Sequence, residues 1–344
     1  MKDKPAQPLR AGKLPARLLE KFLRKYAPPR PDSGVVVGPS IGLDAAVIDF
    51  HGRYLVAKTD PVTFVSDDIG LYSIHVNAND IAVMGGVPRW FLATVLLPEA
   101  ETTPKDAEAI FRQISNACSS IGVTLCGGHT EITPAVTRPL VVGQMLGEVA
   151  KRRLVTAAGA RPGDALILTK GAAVEATSII ARTFGRRLVK TGKFSERFIT
   201  RCRGFVKAPG ISVLHDARLA TGNARVHAMH DPTEGGLATG LYELAIASNC
   251  GIIVYRETIN VYRETERLCR HFGLDPLGVI ASGSLLAAVD PRDSSKLLKT
   301  FKKEGIEGAV IGRVVEKEEG VRIIRDGKLA DLPLFRADEL TRIL

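Results

Sequence analysis

The chain has 344 residues, enough for two domains with separate hydrophobic cores. Apolar residues make up 45% and charged residues 24%, which are ordinary values for a globular protein. The longest apolar runs, such as residues 90–97, are too short to span a bilayer, and residues 1–15 lack the apolar core of a secretory signal. We therefore expect a cytoplasmic protein with no membrane partner.

The 5 cysteines are scattered and form no CxxC pair, which indicates free thiols rather than a disulfide framework or a zinc site. The net charge is +10, and part of it comes from residues 2–30 and 182–207. The second stretch contains Glu196 as its single acidic residue. It is either a set of solvated helix faces or a basic surface for a phosphorylated or acidic partner. Neither stretch has interleaved aromatic residues or a nucleic-acid-binding motif, so we do not expect nucleic acid as a partner.

The first half of the chain alternates predicted strands and helices. Leu14, Leu18, Phe22 and Tyr26 share one stripe, which predicts an amphipathic helix over residues 14–26. Two more helices are predicted at residues 69–84, with Asp67 or Asp68 as a cap, and at residues 104–121. Strands are predicted at residues 35–37, 45–49, 54–58, 90–97, 123–126 and 140–148.

The glycine-rich turn at residues 159–164 lies near a predicted domain boundary. Beyond it, strands are predicted at residues 165–169, 226–229, 252–255, 285–289 and 308–315. Helices are predicted from about residue 172 and at residues 195–203, 211–219, 236–248 and 263–272. This alternation predicts an α/β (α+β) fold in both halves. We divide the chain into an N-terminal arm and helix (1–34), an N-terminal domain (35–155) and a C-terminal domain (156–344).

Five acidic or glycine-rich motifs carry the candidate chemistry. They are GLDAAV (42–47), KTD (58–60), NAND (77–80), GGHTE (127–131) and HDPTEGG (230–236). Small residues at strand ends let a ligand approach the backbone, and carboxylates at such ends suit magnesium. Adjacent glycines can turn backbone N–H groups toward phosphate. Each motif taken alone is more often a turn, a cap or a structural residue. Walker and GxGxxG motifs are absent from the sequence, which argues against those phosphate-binding designs.

Asp80 stands within an otherwise apolar helical stripe that includes Val76, Ile81 and Met84. A carboxylate in such a position needs a partner, and a metal ion is one candidate.

In this order, the motifs resemble those of the aminoimidazole ribonucleotide (AIR) synthetase, or PurM-like, superfamily. The likeness is greatest to its hydrogenase-maturation branch, HypE, and extends from about Val35 to Val315. The matching segments are GLDAAVI, KTDPVT, NANDIAVMGG, GGHTEIT, GARPGDALILTKG, HDPTEGGLATGLYELA and DPLGVIASGSLL.

The resemblance implies two α/β domains, with two chains pairing through their N-terminal sheets. It also implies that ATP lies in a groove near that interface, with Mg²⁺ on its phosphates. Carried over by position, Asp44, Asp60, Asp80 and Asp231 would be the magnesium ligands. The other expected nucleotide contacts are Thr59, Asn79, Gly127, Gly128, His129, Thr130, Thr233 and Glu234.

This chain departs from the family pattern at three places. Relatives commonly have two aspartates where Leu43 and Asp44 stand, and an acidic residue where His129 stands. A neutral imidazole is a poor magnesium ligand, so either Glu131 replaces it, one ion is absent, or His129 acts on the substrate as an acid or base. HypE carries its reacting group on a C-terminal cysteine, whereas no cysteine follows Cys269 in this sequence. We therefore expect a HypE-like paralogue whose acceptor is a separate molecule.

The resulting hypothesis is ATP-dependent phosphorylation of an amide- or thioamide-type oxygen, for dehydration or ligation. Asp80, His129, Glu131 and Lys58 are its candidate catalytic residues: carboxylates hold magnesium, Glu131 or His129 moves the proton, and Lys58 offsets developing charge. A homodimer is expected, and the proposed setting is hydrogenase or metallocofactor maturation with another maturation protein as a possible partner. The alternatives are a non-catalytic ATP sensor or assembly partner, and a basic adaptor that uses residues 182–207.

Overall fold

The computed structural model describes residues 9, 12–28, 30 and 32–344. Part of the predicted N-terminal segment, residues 1–34, thus lies outside the described residues. Its helix is α1, Ala16–Tyr26, and none of the residues of this helix is buried. Among the described residues, no helix combines the length and the apolar character needed to cross a membrane.

The first sheet is formed by residues 35–149. Its strands are β1 (Val35–Val37), β2 (Ala46–Phe50), β3 (Arg53–Val62), β4 (Val87–Pro98), β5 (Thr124–Thr133) and β6 (Leu140–Val149). Their order across the sheet is β1-β2-β3-β6-β4-β5, and β4 and β5 run parallel. Helix α2 (Ile69–Val83) packs on β3 and β6, and α3 (Pro104–Ser120) packs beside α2 and against β5.

The second sheet is formed by residues 165–331. Its strands are β7 (Ala165–Thr169), β8 (Val226–His230), β9 (Gly251–Tyr255), β10 (Leu286–Val289), β11 (Gly308–Val315), β12 (Val321–Arg325) and β13 (Lys328–Asp331), in the order β13-β12-β9-β11-β7-β10-β8. The accompanying helices are α4 (Val174–Lys190), α5 (Glu196–Arg203), α6 (Leu214–Asn223), α7 (Gly236–Ser248), α8 (Arg263–Phe272) and α9 (Pro291–Lys303). Two sheets with helices packed around them confirm the predicted α/β fold.

Several predicted boundaries were wrong in ways that affect the site. Strand β3 continues through Asp60, and β5 continues through Gly127 and Gly128, because β6 and β4 supply ladder partners along their whole length. The KTD and GGHTE motifs therefore lie within strands, not at strand ends. Asp68 does occupy the N-cap position of α2, but its side chain makes no capping bond and pairs with Arg182 at 2.8 Å.

Helix α2 is the element that both halves of the molecule share. Twelve of its 15 residues are buried, as expected for a helix that is enclosed on nearly every side. It packs against the first sheet, and it also contacts α6 and β8 of the second half. Its buried polar residues, including Asn77, Asn79 and Asp80, must therefore find partners inside the protein.

Three basic residues of the stretch 182–207 are engaged within the chain, and the other six are exposed. Besides the Arg182–Asp68 pair, Arg201 lies 2.9 Å from Glu264, and Arg203 donates to the carbonyl of Ala181. The exposed residues fit the interpretation as solvated helix faces. The interpretation as a surface for an anionic partner stays a prediction.

Asn79 joins α2 to the segment before α6. Its amide nitrogen donates to the Ile211 carbonyl at 2.8 Å, and its amide oxygen accepts from the Val213 N–H at 2.9 Å. The side chain is fully buried. Asn79 thus links the two halves through both ends of its amide, and its nucleotide contact stays a prediction.

We predict that Asn79→Ala lowers the free energy of unfolding by about 2–4 kcal/mol, because it leaves two buried backbone groups without partners. Denaturant unfolding monitored by circular dichroism measures this loss. Asn223→Ala is the matched control, since the Asn223 amide makes one half-buried bond to the Leu219 carbonyl; it should cost less than about 1 kcal/mol. An equal effect of the two changes would contradict the linking role of Asn79.

Candidate active site

Lys58, Asp60 and Asp80 meet where α2 crosses β3. Residues 58 and 60 alternate with Thr59 along the strand, so both project toward α2 and Thr59 projects to the other face. The Lys58 ammonium lies 3.0 Å from Asp80 Oδ1 and 3.3 Å from Asp60 Oδ2. Asn77 fixes this part of the strand, because its side chain bonds both the N–H and the carbonyl of Asp60. The structure thus joins Asp60 and Asp80 through one lysine, and it places Thr59 away from them.

His230, in the second half of the chain, pairs with Asp44, which lies in the first half. One ring nitrogen of His230, at the end of β8, lies 2.5 Å from Asp44 Oδ1, and the other lies 3.1 Å from Glu243 Oε2 on α7. Burial lowers the pKa of His230, but the two carboxylates outweigh it, so the pKa is raised well above its usual range. For Glu243 burial acts in the opposite direction and raises the pKa. Hydrogen bonds and charges from His230 and Lys13 outweigh this effect and hold the pKa of Glu243 at about 2. We conclude that His230 is a cationic bridge between two carboxylates.

The carboxylate of Asp231 is buried without any hydrogen-bond partner. Its side chain is 1% exposed, and neither of its oxygens has a hydrogen-bond partner. Burial and the nearby charge of Asp44 raise the pKa of Asp231 despite the opposing effects of His230 and Lys58. Asp80 Oδ2 and Asp44 Oδ2 are also buried without partners. The four carboxylates of Asp44, Asp60, Asp80 and Asp231 therefore form one cluster, and several of its oxygens are left for a further cation.

The donor atoms of this acidic cluster fit Mg²⁺. Ligand atoms of Asp44, His230 and Asp231 lie within 4.8 Å of one another. Both nitrogens of His230 are already engaged by carboxylates, so the atoms that remain are oxygens. Hard oxygen ligands of this kind suit Mg²⁺ better than Zn²⁺, which takes sulfur or nitrogen ligands more readily.

The N-terminal segment also reaches this cluster. The backbone N–H of Lys13 donates to Glu234 Oε1 at 2.9 Å, and its ammonium lies 3.0 Å from Glu243 Oε1. Burial raises the pKa of Glu234, although Lys13 opposes the shift. Thr233 takes part through its backbone, since its carbonyl accepts from the N–H groups of Gly236 and Ala281. Glu234 thus lies at the edge of the cluster, while Thr233 shapes the loop beside it.

The GGHTE segment lies away from the acidic cluster in the folded chain. Register pairs Asp60 with Gly143, Gly143 with Ala93, and Ala93 with Gly128, so β5 is three strands from β3, about 14 Å away. Gly127, Gly128, His129, Thr130 and Glu131 are all exposed there on an edge strand. His129 lies 3.5 Å from Glu131. Gly128 has a φ of +147°, and a Cβ at this position would overlap the backbone of Ala93. Within one chain, then, these five residues are not brought to the acidic cluster, and their proposed roles depend on a second chain.

The sequence analysis missed three residues of the cluster. His230 begins the HDPTEGG motif, so its position beside Asp231 was available as a signal. Glu243 and Lys13 lie 13 and 217 residues from His230, and no spacing rule links them. Only the folded chain brings all three together.

We predict that Lys58→Gln lowers the free energy of unfolding in EDTA by about 3 kcal/mol, because it leaves the buried Asp80 carboxylate without its cation. Thermal unfolding of the single and double variants measures this loss. In Lys58→Gln/Asp80→Asn the cost should be smaller than the sum of the single changes, since the charge is removed with its partner. Mg²⁺ should restore part of the stability lost in Lys58→Gln. Additive costs and no effect of Mg²⁺ would contradict the assignment of Lys58 as the cation that compensates this cluster.

Two domains of a known protein family match almost the whole of both halves. Residues 42–149 match the N-terminal domain of AIR synthase related proteins, and residues 161–325 match their C-terminal domain. A putative hydrogenase expression/formation protein of Methanocaldococcus jannaschii is 28% identical over 89% of this chain and 91% of its own length. The carbamoyl dehydratase HypE of Cupriavidus necator is 30% identical over 77% of this chain and 74% of its own length.

Solved structures show the same fold. Escherichia coli HypE superposes with a TM-score of 0.72 at 22% identity, covering 94% of this chain and 98% of that protein. A HypE structure in complex with ATP gives a TM-score of 0.66 at 23% identity, covering 95% and 96%. HypE in a HypE–HypF complex gives 0.65 at 22% identity, covering 84% and 93%. With both domains matched in order, this chain belongs to the AIR synthase related family, and HypE proteins of hydrogenase maturation are among its relatives.

Proposed function

We propose that this protein uses ATP and Mg²⁺ to phosphorylate the oxygen of an amide-type group, most simply a carbamoyl group, so that the oxygen can leave as phosphate. The observation that carries the proposal is the acidic cluster of Asp44, Asp60, Asp80 and Asp231, which is assembled from both halves of the chain. The printed activity of the HypE relatives, carbamoyl dehydratase, supports the choice of acceptor. The ATP complex of a HypE with the same fold supports the choice of donor.

The residues of the acidic cluster have different proposed roles in this reaction. Asp60, Asp80 and Asp231, with Asp44, would hold Mg²⁺, which supplies charge neutralisation on the phosphates when bound. Lys58 lies between Asp60 and Asp80, where its ammonium can offset the charge that develops during transfer. His230 and Lys13 hold Glu243 and so keep the outer side of the cluster fixed. The acceptor oxygen attacks the γ-phosphorus and ADP leaves, while the amide nitrogen gives up one proton to form an O-phosphorylated imidate. The nitrogen gives up its second proton as phosphate departs, and a carbon–nitrogen triple bond remains.

A homodimer is part of the proposal. Apolar side chains on β4 and β5 are exposed in the single chain: Trp90 by 38%, Leu125 by 36% and Ile132 by 54%. Strand β5 also presents an unpaired edge. A second copy that covers this region would bury His129 and Glu131 at the shared interface, where they could reach a nucleotide. Their proton-transfer role is proposed on that basis.

The proposed setting is metallocofactor maturation, in which another maturation protein supplies the acceptor. The HypE–HypF complex supports such a partner for relatives with this fold. An ATP sensor would share the nucleotide site but release no phosphate in the presence of a carbamoyl acceptor.

We predict that Asp60→Asn, Asp80→Asn and Asp231→Asn each weaken Mg²⁺-dependent ATP binding at least tenfold, because each removes a charged oxygen from the acidic cluster. Isothermal titration of ATP with and without Mg²⁺ measures the effect. Asp326→Asn is the matched control, since Asp326 is exposed in the turn between β12 and β13 and its positive φ also suits asparagine. If the three cluster variants bound Mg·ATP as tightly as Asp326→Asn, the site would lie elsewhere.

A further inference from the structure

The C-terminal tail, residues 332–344, packs against the rest of the chain, and the proposed reaction has not used it. Leu340 is fully buried within a core cluster that contains residues of both halves. The Glu339 N–H donates to the Gly278 carbonyl at 3.0 Å. The ring of Phe335 covers Gly278, where an added Cβ would lie 2.7 Å from the ring. The tail is therefore held by apolar packing and by backbone hydrogen bonds.

Asp338 connects this tail to the loop that carries Asp231. The Asp338 side chain is 2% exposed. One of its carboxylate oxygens accepts from the Gly235 N–H at 2.7 Å, and the other accepts from the Leu340 N–H at 2.9 Å. The Gly235 N–H belongs to the peptide group that joins Glu234 to Gly235. Asp338 thus fixes the orientation of the peptide that follows Glu234, at the edge of the acidic cluster.

The sequence of the loop explains why it needs an acceptor from outside. Helix α7 begins at Gly236, and Gly235 occupies its N-cap position with a φ of +82° and without a side chain that could cap the helix. The carbonyl of Thr233 accepts from the N–H groups of Gly236 and Ala281. The buried Gly235 N–H needs an acceptor of its own, and Asp338 supplies it.

The acidic cluster depends on this loop on two sides. Asp231 lies four residues before Gly235, and Glu243 lies eight residues after it, about two turns into α7. Glu243 is joined through His230 to Asp44. A displacement of Gly235 would therefore shift carboxylates that lie on both sides of the loop.

The N-terminal segment packs at the same place. A Cβ added at Gly12 would lie 3.1 Å from Glu234 Oε1 and 3.8 Å from the Cβ of Ala337, the neighbour of Asp338. The backbone N–H of Lys13 donates to the same oxygen of Glu234. Glu234 therefore lies where the N-terminal segment and the C-terminal tail meet.

We propose that Asp338 is a positioning residue for the Mg·ATP site. Through Asp338 the C-terminal tail holds the loop 231–235, so that Asp231 and Glu234 keep the orientation in which they meet the metal and the nucleotide. This assignment rests on the proposed function, because it concerns the same Mg·ATP site. The competing interpretation is an ordinary helix cap, which would stabilise the fold without affecting nucleotide binding.

The test compares the full chain with Asp338→Ala and with the matched variant Asp290→Ala. Asp290 is 7% exposed and caps α9, where it accepts from the Arg292 N–H at 3.0 Å. It follows β10 at the end opposite to the residue that pairs with His230. Both changes should lower the melting temperature by several degrees, because each removes a buried cap. Isothermal titration of Mg·ATP, at a temperature where all three proteins are folded, should show binding weakened about threefold to tenfold in Asp338→Ala and unchanged in Asp290→Ala.

Hydrogen exchange of the wild type, measured amide by amide, tests the same contact without a substitution. Mg·ATP should slow exchange at Gly235 and at Leu340 together, because both amides donate to Asp338 and coupling between two sites is reciprocal. The amide of Arg292, which donates to Asp290, should exchange at the same rate with and without Mg·ATP.

Each outcome supports or overturns the assignment. Weaker Mg·ATP binding in Asp338→Ala alone supports the positioning role. Wild-type affinity in Asp338→Ala, despite its lower melting temperature, overturns that role while the proposed function stands. If Asp338→Ala does not fold, the exchange measurement decides: protection of Gly235 and Leu340 together supports the role, and protection that stops at Gly235 overturns it. A wild type that binds no Mg·ATP contradicts the proposed function and the positioning role with it.

Discussion

The organisation of this protein depends on keeping several carboxylates together in a buried place. Asp80 and Asp231 are almost fully buried, and mutual repulsion adds to the cost of their burial. Two cationic side chains compensate part of this charge, Lys58 from the first half and His230 from the second. Because the carboxylates come from both halves, the two domains must be docked for the acidic cluster to exist. A divalent ion would complete the compensation, and in the proposed function it brings the phosphates of ATP with it.

Helix α2 positions the buried carboxylates relative to both halves of the molecule. Its Asp80 reaches Lys58 on β3, while its Asn79 bonds the segment before α6 on the other side. Successive residues of one helix thereby fix the acidic cluster and the contact between the domains. Such rigidity favours a reaction whose catalysis is mainly positioning and charge neutralisation.

Much of the fold could be predicted from the sequence, because the strands and helices carry clear apolar periods and turn residues. Asp44, Asp60, Asp80 and Asp231 were singled out together as magnesium ligands because the order of their motifs resembles that of the AIR synthetase superfamily. Their gathering into one cluster agrees with that expectation, and their role as magnesium ligands remains a proposal.

The other features of the site depend on contacts between residues far apart in the sequence, which a local sequence pattern does not encode. Glu243 lies within the matching segment HDPTEGGLATGLYELA but was not singled out, and Lys13 reaches it only in the folded chain. Asn79 was assigned to the nucleotide through the family resemblance, whereas in the folded chain its amide bonds the segment before α6. GGHTE was taken as a loop after a strand, although β4 pairs with it along its whole length. Local composition identifies candidates for chemistry, while the direction of each side chain is set by packing.

The most direct test of the central claim is a crystal structure grown with Mn²⁺ and a non-hydrolysable ATP analogue, with the anomalous signal of the metal measured. Our account predicts a metal peak in contact with carboxylate oxygens of Asp60, Asp80 and Asp231 or Asp44, with the β- and γ-phosphates as its remaining ligands. A nucleotide bound away from these residues, or bound with no metal between it and the acidic cluster, would contradict the account.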